Sequence, residues 1–354
     1  MVIAYSTIRQ RLESREDSLS PFSARSKESR GRLKPESSCP MRTIFQQDRD
    51  RIVHCKAFRR LKHKTQVFIA PLGDHYVTRL THTIEVSQIA RTIARALNLN
   101  EDLTESIALG HDLGHTPFGH IGEQVIDNLS PFGFRHSQQS LRVVDHLERS
   151  GAGLNLTWEV RDGILNHSKS AGDIQGNESV QPATLEGQVC RIADGIAYIN
   201  HDIDDAIRSG FIAASNLPYS ATEVLGYTHS ERINTMVQDV VEFSAAQDRT
   251  ISLSDPVRNA ANLLREFLFC NVYLPSSATR ESIRARDVIL TLYEYFITHF
   301  DCLSSEYTNH ANNTEQGAID YIAGMTDRFA LRTAIRINPR LQTIPSTYSH
   351  IGLL

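Results

Sequence analysis

The 354-residue sequence lacks the cysteine pattern of a secreted protein or of a cysteine-rich zinc site. Its five cysteines are odd in number and include no Cys-x-x-Cys pair, so we expect reduced thiols and a cytoplasmic location. A long hydrophobic run is also absent, since the longest, at 288–297, falls well short of the roughly 20 residues that a membrane span needs. The N-terminus has no basic start followed by an apolar core and therefore does not indicate a secretory signal.

A strong charge of one sign is absent as well. The formal net charge is −4, so binding of a polyanion has to rest on local clusters. One such cluster is the basic run RRLKHK at 59–64, which is typical either of a solvated helix face or of a contact to phosphates. Hydrophobic residues make up 40% and charged residues 22% of the chain, the balance of an ordinary globular protein rather than of a disordered one.

Helical periodicity, in contrast, is present almost throughout. One amphipathic helix is predicted at 79–98, with the apolar residues Leu80, Ile84, Ile89, Ile93 and Leu97. A second helix is predicted directly after Asn100, where two acidic residues complement its positive end. Further helices are predicted at 137–147, 184–208, 231–247, 256–270, 280–299 and 315–331. Because no strand pattern competes over any long stretch, the predicted fold class is all-α.

Three regions are expected along the chain. Residues 1–44 form an N-terminal arm, partly extended, because 14–40 has almost no apolar periodicity. Residues 45–212 form the core that carries the chemistry, and residues 213–354 form a C-terminal helical region packed on it, with a connection at 215–230. The basic residues of the arm either are solvated or contact an anionic ligand or a neighbouring subunit; they are Arg25, Lys27, Arg30, Arg32 and Lys34.

Candidate chemistry is concentrated in the segment GHDLGHTPFGHIGE at 110–123, which holds three histidines and two carboxylates. Its adjacent residues His111 and Asp112 offer an imidazole nitrogen and a carboxylate oxygen, a ligand pair that suits Mn, Fe, Mg, Co or Zn. Adjacent residues on a regular helix diverge by about 100°. Both can therefore face one ion only near a helix end, which Gly114 is placed to provide.

Two further residues complete a set of candidate metal ligands. His82 lies on the predicted helix that precedes the His-Asp pair, and Asp194 lies on the long predicted helix after it. Together with His111 and Asp112 they provide two nitrogens and two oxygens, and leave positions open for water and phosphate oxygens.

A second polar stripe runs along the predicted helix at 184–208. Asp194, Tyr198 and Asp202 recur at i, i+4 and i+8 and so share one face, away from the apolar stripe. From the residues alone, Tyr198 is equally typical of a core aromatic and of a residue that lines a pocket.

The segment HYVTRLTHTIEVSQIARTIARALNLNEDLTESIALGHDLGHTPFGHIGE at 75–123 resembles the bacterial deoxyguanosinetriphosphate triphosphohydrolase-like proteins, within the HD superfamily. The resemblance covers 15–331 with few gaps. Its other segments are DRDRIVHCKAFRRLKHKTQVF (48–68), FRHSQQSLRVVDHLE (134–148), LEGQVCRIADGIAYINHDIDDAI (185–207), REFLFCNVY (265–273) and DYIAGMTDRFAL (320–331). It implies an HD-domain helical bundle with additional C-terminal helices. The implied activity is hydrolysis of dGTP or several deoxynucleoside triphosphates (dNTPs) to deoxynucleoside and inorganic triphosphate.

The resemblance also implies a role for each residue that matches a family motif. The ligands of one divalent metal ion (Mg, Mn, Co, Fe, Ni or Zn) match His82, His111, Asp112 and Asp194. The catalytic residues match His115, His120 and Glu123, with Glu123 paired to His120. The substrate contacts match Arg79 and His136 at the phosphates, Tyr198 beneath the deoxyribose, Asp202 at its 3′-hydroxyl and Gln66 near the sugar. This resemblance alone implies that water attacks the α-phosphorus of the substrate rather than another phosphorus.

Elementary chemistry agrees with these roles. A triphosphate carries about four negative charges, so its site needs cations and imidazolium donors. His120 can deliver a proton to the leaving 5′-oxygen, with Glu123 orienting its ring. A 2′-hydroxyl would collide with Tyr198 beneath the sugar, which would select deoxyribonucleotides.

Other functions stay open at this point. An HD-type phosphodiesterase or nuclease acting on single-stranded nucleic acid would use the same metal chemistry in an open groove. A non-catalytic nucleotide sensor would lack a catalytic residue. The resemblance further implies a homo-oligomer, with an allosteric nucleotide at subunit interfaces to which the basic run at 59–64 and the arm at 14–40 could contribute.

Overall fold

The computed structural model describes residues 5–67, 76–168, 173–176, 181–247 and 249–342. Within these ranges the chain is helical, with no β-strand and only two isolated β-bridges, which confirms the predicted all-α class. No helix in the described part of the chain is long and apolar enough to cross a membrane. Residues 1–4 of the predicted arm and residues 343–354 of the predicted C-terminal region lie outside the described residues.

The helices follow one another with short connections. Those up to residue 208 are α1 (Tyr5–Arg15), α2 (Ile44–Val53), α3 (Lys56–Arg60), α4 (Arg79–Ala96), α5 (Glu101–Gly110), α6 (Gly119–Leu129), α7 (His136–Arg142), α8 (Trp158–Asn166) and α9 (Leu185–Arg208). Those after it are α10 (Tyr219–Leu225), α11 (His229–Ala245), α12 (Asp255–Leu268), α13 (Leu274–Ser277), α14 (Arg280–Thr298), α15 (Ser305–Thr308), α16 (Thr314–Ala323) and α17 (Asp327–Ile337). π-Helical segments continue α7 and α12, at Val143–Leu147 and Phe269–Tyr273.

Side-chain caps define the start of the three helices that build the centre of the molecule. Thr78 before α4, Asn100 before α5 and Thr184 before α9 each accept a hydrogen bond from the backbone N–H three residues further on. Such a cap typically contributes about 1 kcal/mol. The helix starts predicted after Asn100 and at 184 are confirmed to within one residue.

The core forms where α4, α5 and α9 pack against one another. Ile89 and Ile93 of α4, Ile107 of α5, and Ile196 and Ile199 of α9 are buried with almost no exposed surface. Burying one such side chain contributes about 1.5–3 kcal/mol. Because each of the three helices turns its apolar face towards the other two, their flanking polar residues are brought close together as well.

Three local predictions are wrong. The predicted connection at 215–230 contains α10, which packs on α12 and buries Leu225. The single helix predicted at 315–331 is two helices, because α16 ends at Gly324 and Thr326 caps the start of α17. Ile84, expected on the apolar face of α4, is 55% exposed. It lies five residues before Ile89, which places it about 140° away around the helix.

The N-terminal arm lies against the core through buried polar contacts. The carboxylate of Glu186 on α9 accepts a hydrogen bond from Ser23 Oγ at 2.8 Å. Arg32 forms an ion pair with the buried Asp48 of α2. Removing one partner of such a buried pair typically costs about 3–5 kcal/mol. For Arg32, therefore, the anionic partner lies within its own chain.

Candidate active site

The predicted site residues, except His111, line one cavity of about 310 Å³. His111 is itself buried, next to Asp112 in the chain. The residues around the cavity are Gln66, Arg79, His82, Asp112, His115, His120, Glu123, His136, His167, Ser168, Asp194, Tyr198, Asp202, Arg265 and Tyr273. The structure thus brings together side chains that lie more than 200 positions apart in the sequence.

The candidate metal ligands come from the three central helices. His82 lies in the first turn of α4, and Asp194 lies in the middle of α9. His111 directly follows the last residue of α5, and Asp112 lies in the turn after it. The helix end that adjacent ligands need is therefore present, because α5 stops at Gly110.

Their ligand atoms converge within a few ångströms. His82 Nε2 lies 3.3 Å from Asp194 Oδ1 and 3.9 Å from Asp112 Oδ2. His111 Nε2 lies 3.4 Å from Asp112 Oδ1. One ligand atom from each of His82, His111 and Asp112 lies within 4.8 Å of the other two, so a single ion can contact them together.

The hydrogen bonding of His111 indicates that these residues fit a metal ion. Its Nδ1 donates to the carbonyl of Ala108 at 2.7 Å, which leaves the lone pair on Nε2. That buried Nε2 has no hydrogen-bond partner among the described residues. A backbone carbonyl on the far nitrogen is the arrangement by which proteins orient a metal-binding histidine. The cluster is consistent with the metal site of an HD domain.

Burial and neighbouring groups shift the pKa values of Asp112, His82 and His115. Burial alone would raise the pKa of Asp112, but its neighbours His111, His115 and Arg79 hold that pKa well below its usual value. Burial lowers the pKa of His82 and, together with Arg79, lowers the pKa of His115 well below its usual value. The Asp112 carboxylate is therefore anionic and the His82 imidazole is neutral, which are the states in which these groups bind a metal ion.

Glu123 makes different contacts from those predicted. Its carboxylate accepts hydrogen bonds from the backbone N–H of His136 at 2.8 Å and from His136 Nδ1 at 3.0 Å. His120 Nδ1 lies 3.9 Å from Glu123, beyond hydrogen-bond distance, and the side chain of His120 is 68% exposed. The ring of His115 stacks on that of His136 with centroids 3.9 Å apart. The expected pairing of Glu123 with His120 is thus replaced by a pairing with His136.

The C-terminal region holds the turn that carries His115. Lys64 Nζ donates to the carbonyl of His115 and, at 2.8 Å, to that of Ala323 at the end of α16. Asp327, the first residue of α17, accepts the N–H of Phe118 at 3.0 Å. Phe118 has a φ of 63°, a left-handed conformation that bulky residues rarely adopt. These long-range contacts stabilise the strained turn between α5 and α6.

We predict that Gly114→Ala destabilises the protein by about 3 kcal/mol, the upper end of the usual effect of overpacking. A Cβ at this position would lie 2.1 Å from the backbone nitrogen of Ser140 and 2.4 Å from the carbonyl carbon of Gln139. Urea unfolding of the metal-free protein measures the change. Gly210→Ala is the comparison, because Gly210 has a φ of 74° but open space around it, so that only a strain of about 1–2 kcal/mol is expected. Equal effects of the two substitutions would contradict the prediction.

Arg79 connects the metal cluster to the cavity. Its Nη1 donates to Asp112 Oδ2 at 2.7 Å, and the side chain is almost completely buried. Within the described part of the chain, its Nε and Nη2 have no hydrogen-bond partner. Buried donors without partners are costly, so an anionic ligand in the cavity would satisfy them.

On the other side of the cavity, α9 presents Tyr198 and Asp202. The hydroxyl of Tyr198 accepts a hydrogen bond from Nε of Arg265 on α12. The hydroxyl of Tyr273, at the end of the π-helical segment after α12, donates to Asp202 Oδ2. The π-helical turn thereby directs Tyr273 towards the cavity, a use of such segments that recurs at functional sites.

Sequence reasoning did not predict five residues at the site. Four of them line the cavity, namely His167, Ser168, Arg265 and Tyr273, and the fifth, His201, contacts His82. The segment REFLFCNVY at 265–273 belongs to the resemblance, but its spacing does not show that both of its ends face α9. His201 is adjacent to a predicted residue, and only the packing of α9 on α4 shows which way its ring points.

A buried His-Asp cluster on an all-helical core defines the class of the protein, an HD-domain phosphohydrolase with a candidate metal site. Comparison with protein families agrees with this class. The family described as "HD domain" matches residues 79–199, and the family described as "Phosphohydrolase-associated domain" matches residues 251–336. The first match spans the metal cluster, and the second includes Arg265, Tyr273 and Asp327.

The chain belongs to the deoxyguanosinetriphosphate triphosphohydrolase-like family. It is 56% identical to the protein of that name from Caldanaerobacter subterraneus subsp. tengcongensis, over 88% of this chain and 90% of the relative. The namesake from Desulfatibacillum aliphaticivorans is 53% identical over 92% and 96% of the two chains. That from Clostridium tetani is 44% identical over 94% and 96%. The resemblance seen in the sequence is confirmed.

Proposed function

We propose that this chain hydrolyses dNTPs to deoxynucleoside and inorganic triphosphate. The observation that carries the proposal is that one cavity contains both a buried His-Asp cluster with Arg79 and the pair Tyr198 and Asp202. Along α9, Asp194, Tyr198 and Asp202 are spaced by about 6 Å, so that phosphate-binding and sugar-binding groups lie on successive turns. The name of the relatives, deoxyguanosinetriphosphate triphosphohydrolase-like, supports the same substrate class.

The metal site would consist of His82, His111, Asp112 and Asp194. A divalent ion there supplies Lewis-acid polarisation of a phosphoryl oxygen and lowers the pKa of water towards neutrality. Arg79 binds the phosphates through the two guanidinium nitrogens that have no partner among the described residues. The oxygen of a water molecule bonds to the α-phosphorus while the bond from that phosphorus to the 5′-oxygen breaks, so the three phosphates are released together as triphosphate.

Two histidines contribute differently in this proposal. Burial opposes a charge on His136, but the Glu123 carboxylate raises the pKa of His136 and so favours an imidazolium that donates to the phosphates. His120 lines the cavity with its ring largely exposed to it, and it protonates the leaving 5′-oxygen. Tyr198 packs beneath the deoxyribose, and Asp202 accepts from the 3′-hydroxyl beside the hydroxyl of Tyr273.

The test is an assay in water enriched in ¹⁸O, with Mn²⁺ added and with each dNTP supplied singly and in mixtures. We expect deoxynucleoside and triphosphate, and the ¹⁸O in the triphosphate, because cleavage at the α-phosphorus transfers the water oxygen to phosphorus. Ion exchange separates the products, and mass spectrometry locates the label. Ribonucleoside triphosphates are the matched control and should be hydrolysed much more slowly.

Three results would contradict the proposal. Pyrophosphate or orthophosphate as the first product would mean that a phosphoanhydride bond is cleaved instead of the bond between the α-phosphorus and the 5′-oxygen. Label in the deoxynucleoside would place the attack at carbon. Cleavage of single-stranded DNA without turnover of any dNTP would identify a nuclease. Mixtures that react faster than single dNTPs would show activation by a second nucleotide.

A further inference from the structure

His201 contacts both the candidate metal site and the candidate sugar site. It lies on α9, and its side chain is only 2% exposed. Its Nε2 lies 2.9 Å from Nδ1 of the candidate metal ligand His82 on α4. Its Nδ1 lies 2.8 Å from Oδ1 of Asp202, whose other oxygen accepts the hydroxyl of Tyr273. A line of polar contacts therefore runs from Tyr273 through Asp202 and His201 to His82.

His201 lies behind His82, on the side away from the candidate metal site. A neutral imidazole that binds a metal ion through Nε2 carries its proton on Nδ1. Across the 2.9 Å between the two nitrogens, His82 Nδ1 then donates to His201 Nε2. The opposite nitrogen, His82 Nε2, lies 3.3 Å from Asp194 and 3.9 Å from Asp112. That is the nitrogen a metal ion needs.

We propose that His201 is a positioning residue that holds His82 in its metal-binding tautomer and orientation. The inference rests on the metal site of the proposed function but not on its substrate. The geometry matches that of His111, whose far nitrogen is held by the carbonyl of Ala108. Each histidine ligand thus has one partner behind it, a backbone carbonyl for His111 and the His201–Asp202 pair for His82.

A second consequence concerns Asp202. The residue assigned to the sugar 3′-hydroxyl also contacts, through its other oxygen, the histidine that orients a metal ligand. Binding of the sugar and retention of the metal are therefore linked through two adjacent residues of α9. His201 does not touch the cavity, so its effect on the reaction is exerted through His82.

The test measures the affinity of the metal-free protein for Mn²⁺ by calorimetry in the wild type, His201→Leu and His201→Gln. Leu has a similar volume but no acceptor, so the dissociation constant should rise about 10–100-fold, the usual effect of losing the partner behind a ligand. Gln offers a carbonyl oxygen to His82 Nδ1 and should remain close to the wild type. Urea unfolding of the metal-free variants is the control, because a purely structural role would lower stability and leave the Mn²⁺ affinity unchanged.

Wild-type Mn²⁺ affinity in His201→Leu would overturn the role of His201 while leaving the metal site in place. A wild type that bound no Mn²⁺ would overturn the metal site together with this role. If His201→Leu does not fold, histidine ¹⁵N spectra of the Zn²⁺-loaded wild type decide instead, with the His201 signals assigned from His201→Gln. An unprotonated His201 Nε2, able to accept from His82 Nδ1, supports the proposal, and a protonated His201 Nε2 overturns it.

Discussion

His111→Ala is expected to lose both the bound metal ion and the hydrolysis of dNTPs. The imidazole provides one of the candidate ligands, and its Nε2 has no hydrogen-bond partner in the described part of the chain. Because a metal ion at a phosphoryl centre contributes several kcal/mol, kcat/KM should fall by at least about 10³-fold, which corresponds to about 4 kcal/mol. Mass spectrometry of the metal content and the triphosphate assay measure the two losses on the same sample.

The control is His54→Ala. His54 is an exposed histidine at the end of α2 and does not line the cavity. It should keep both the metal and the activity. Circular dichroism of the metal-free proteins verifies that each variant is folded. A His111→Ala protein that retained wild-type metal content, or wild-type turnover, would contradict the assignment of His111 as a ligand.

Periodicity predicted the helices whose packing is simplest. α9 has a continuous apolar stripe, and Val189, Ile196 and Ile203 are buried as expected. Two of the three failures occur where a helix is short or where one helix directly follows another. α10 has only seven residues, and the break at Gly324 requires the contacts of Arg60 and Lys64 with the carbonyls of residues 324 and 323. A local pattern does not contain such long-range contacts.

In the candidate site, too, some features could be predicted from the sequence and others depend on tertiary packing. The spacing of Asp194, Tyr198 and Asp202 predicts a shared helix face, and the three residues do line one cavity. The identity of their partners depends on which helix packs opposite, and so Arg265 and Tyr273 could not be predicted from spacing. The pairing of Glu123 with His136 likewise depends on how the start of α7 packs on α6. Chemistry-bearing residues are recognisable in a sequence, whereas their hydrogen-bond partners are set by tertiary packing.

Arg79→Lys is expected to lower kcat/KM for dNTPs by about 10²–10³-fold, with a raised KM and an unchanged metal content. The substitution keeps one positive charge, but an ammonium group cannot reproduce the planar fork of a guanidinium. Arg79 uses Nη1 on Asp112 and has Nε and Nη2 available for phosphate oxygens, as far as the described residues show. Lys can contact Asp112 or the phosphates, but not both with the same geometry. The expected loss corresponds to about 3–4 kcal/mol.

Arg91→Lys is the matched control, because Arg91 lies on the same helix and pairs with Glu101 and Glu105 at the surface. Steady-state kinetics and metal content of both variants separate two roles of Arg79. A raised KM with the metal retained means that the guanidinium binds the substrate phosphates. Loss of the metal in Arg79→Lys would contradict this, since it would mean that Arg79 acts by holding Asp112 in place. Because Asp112 keeps its contacts with His111 and His115 when Arg79 is replaced, retention of the metal is the expected result.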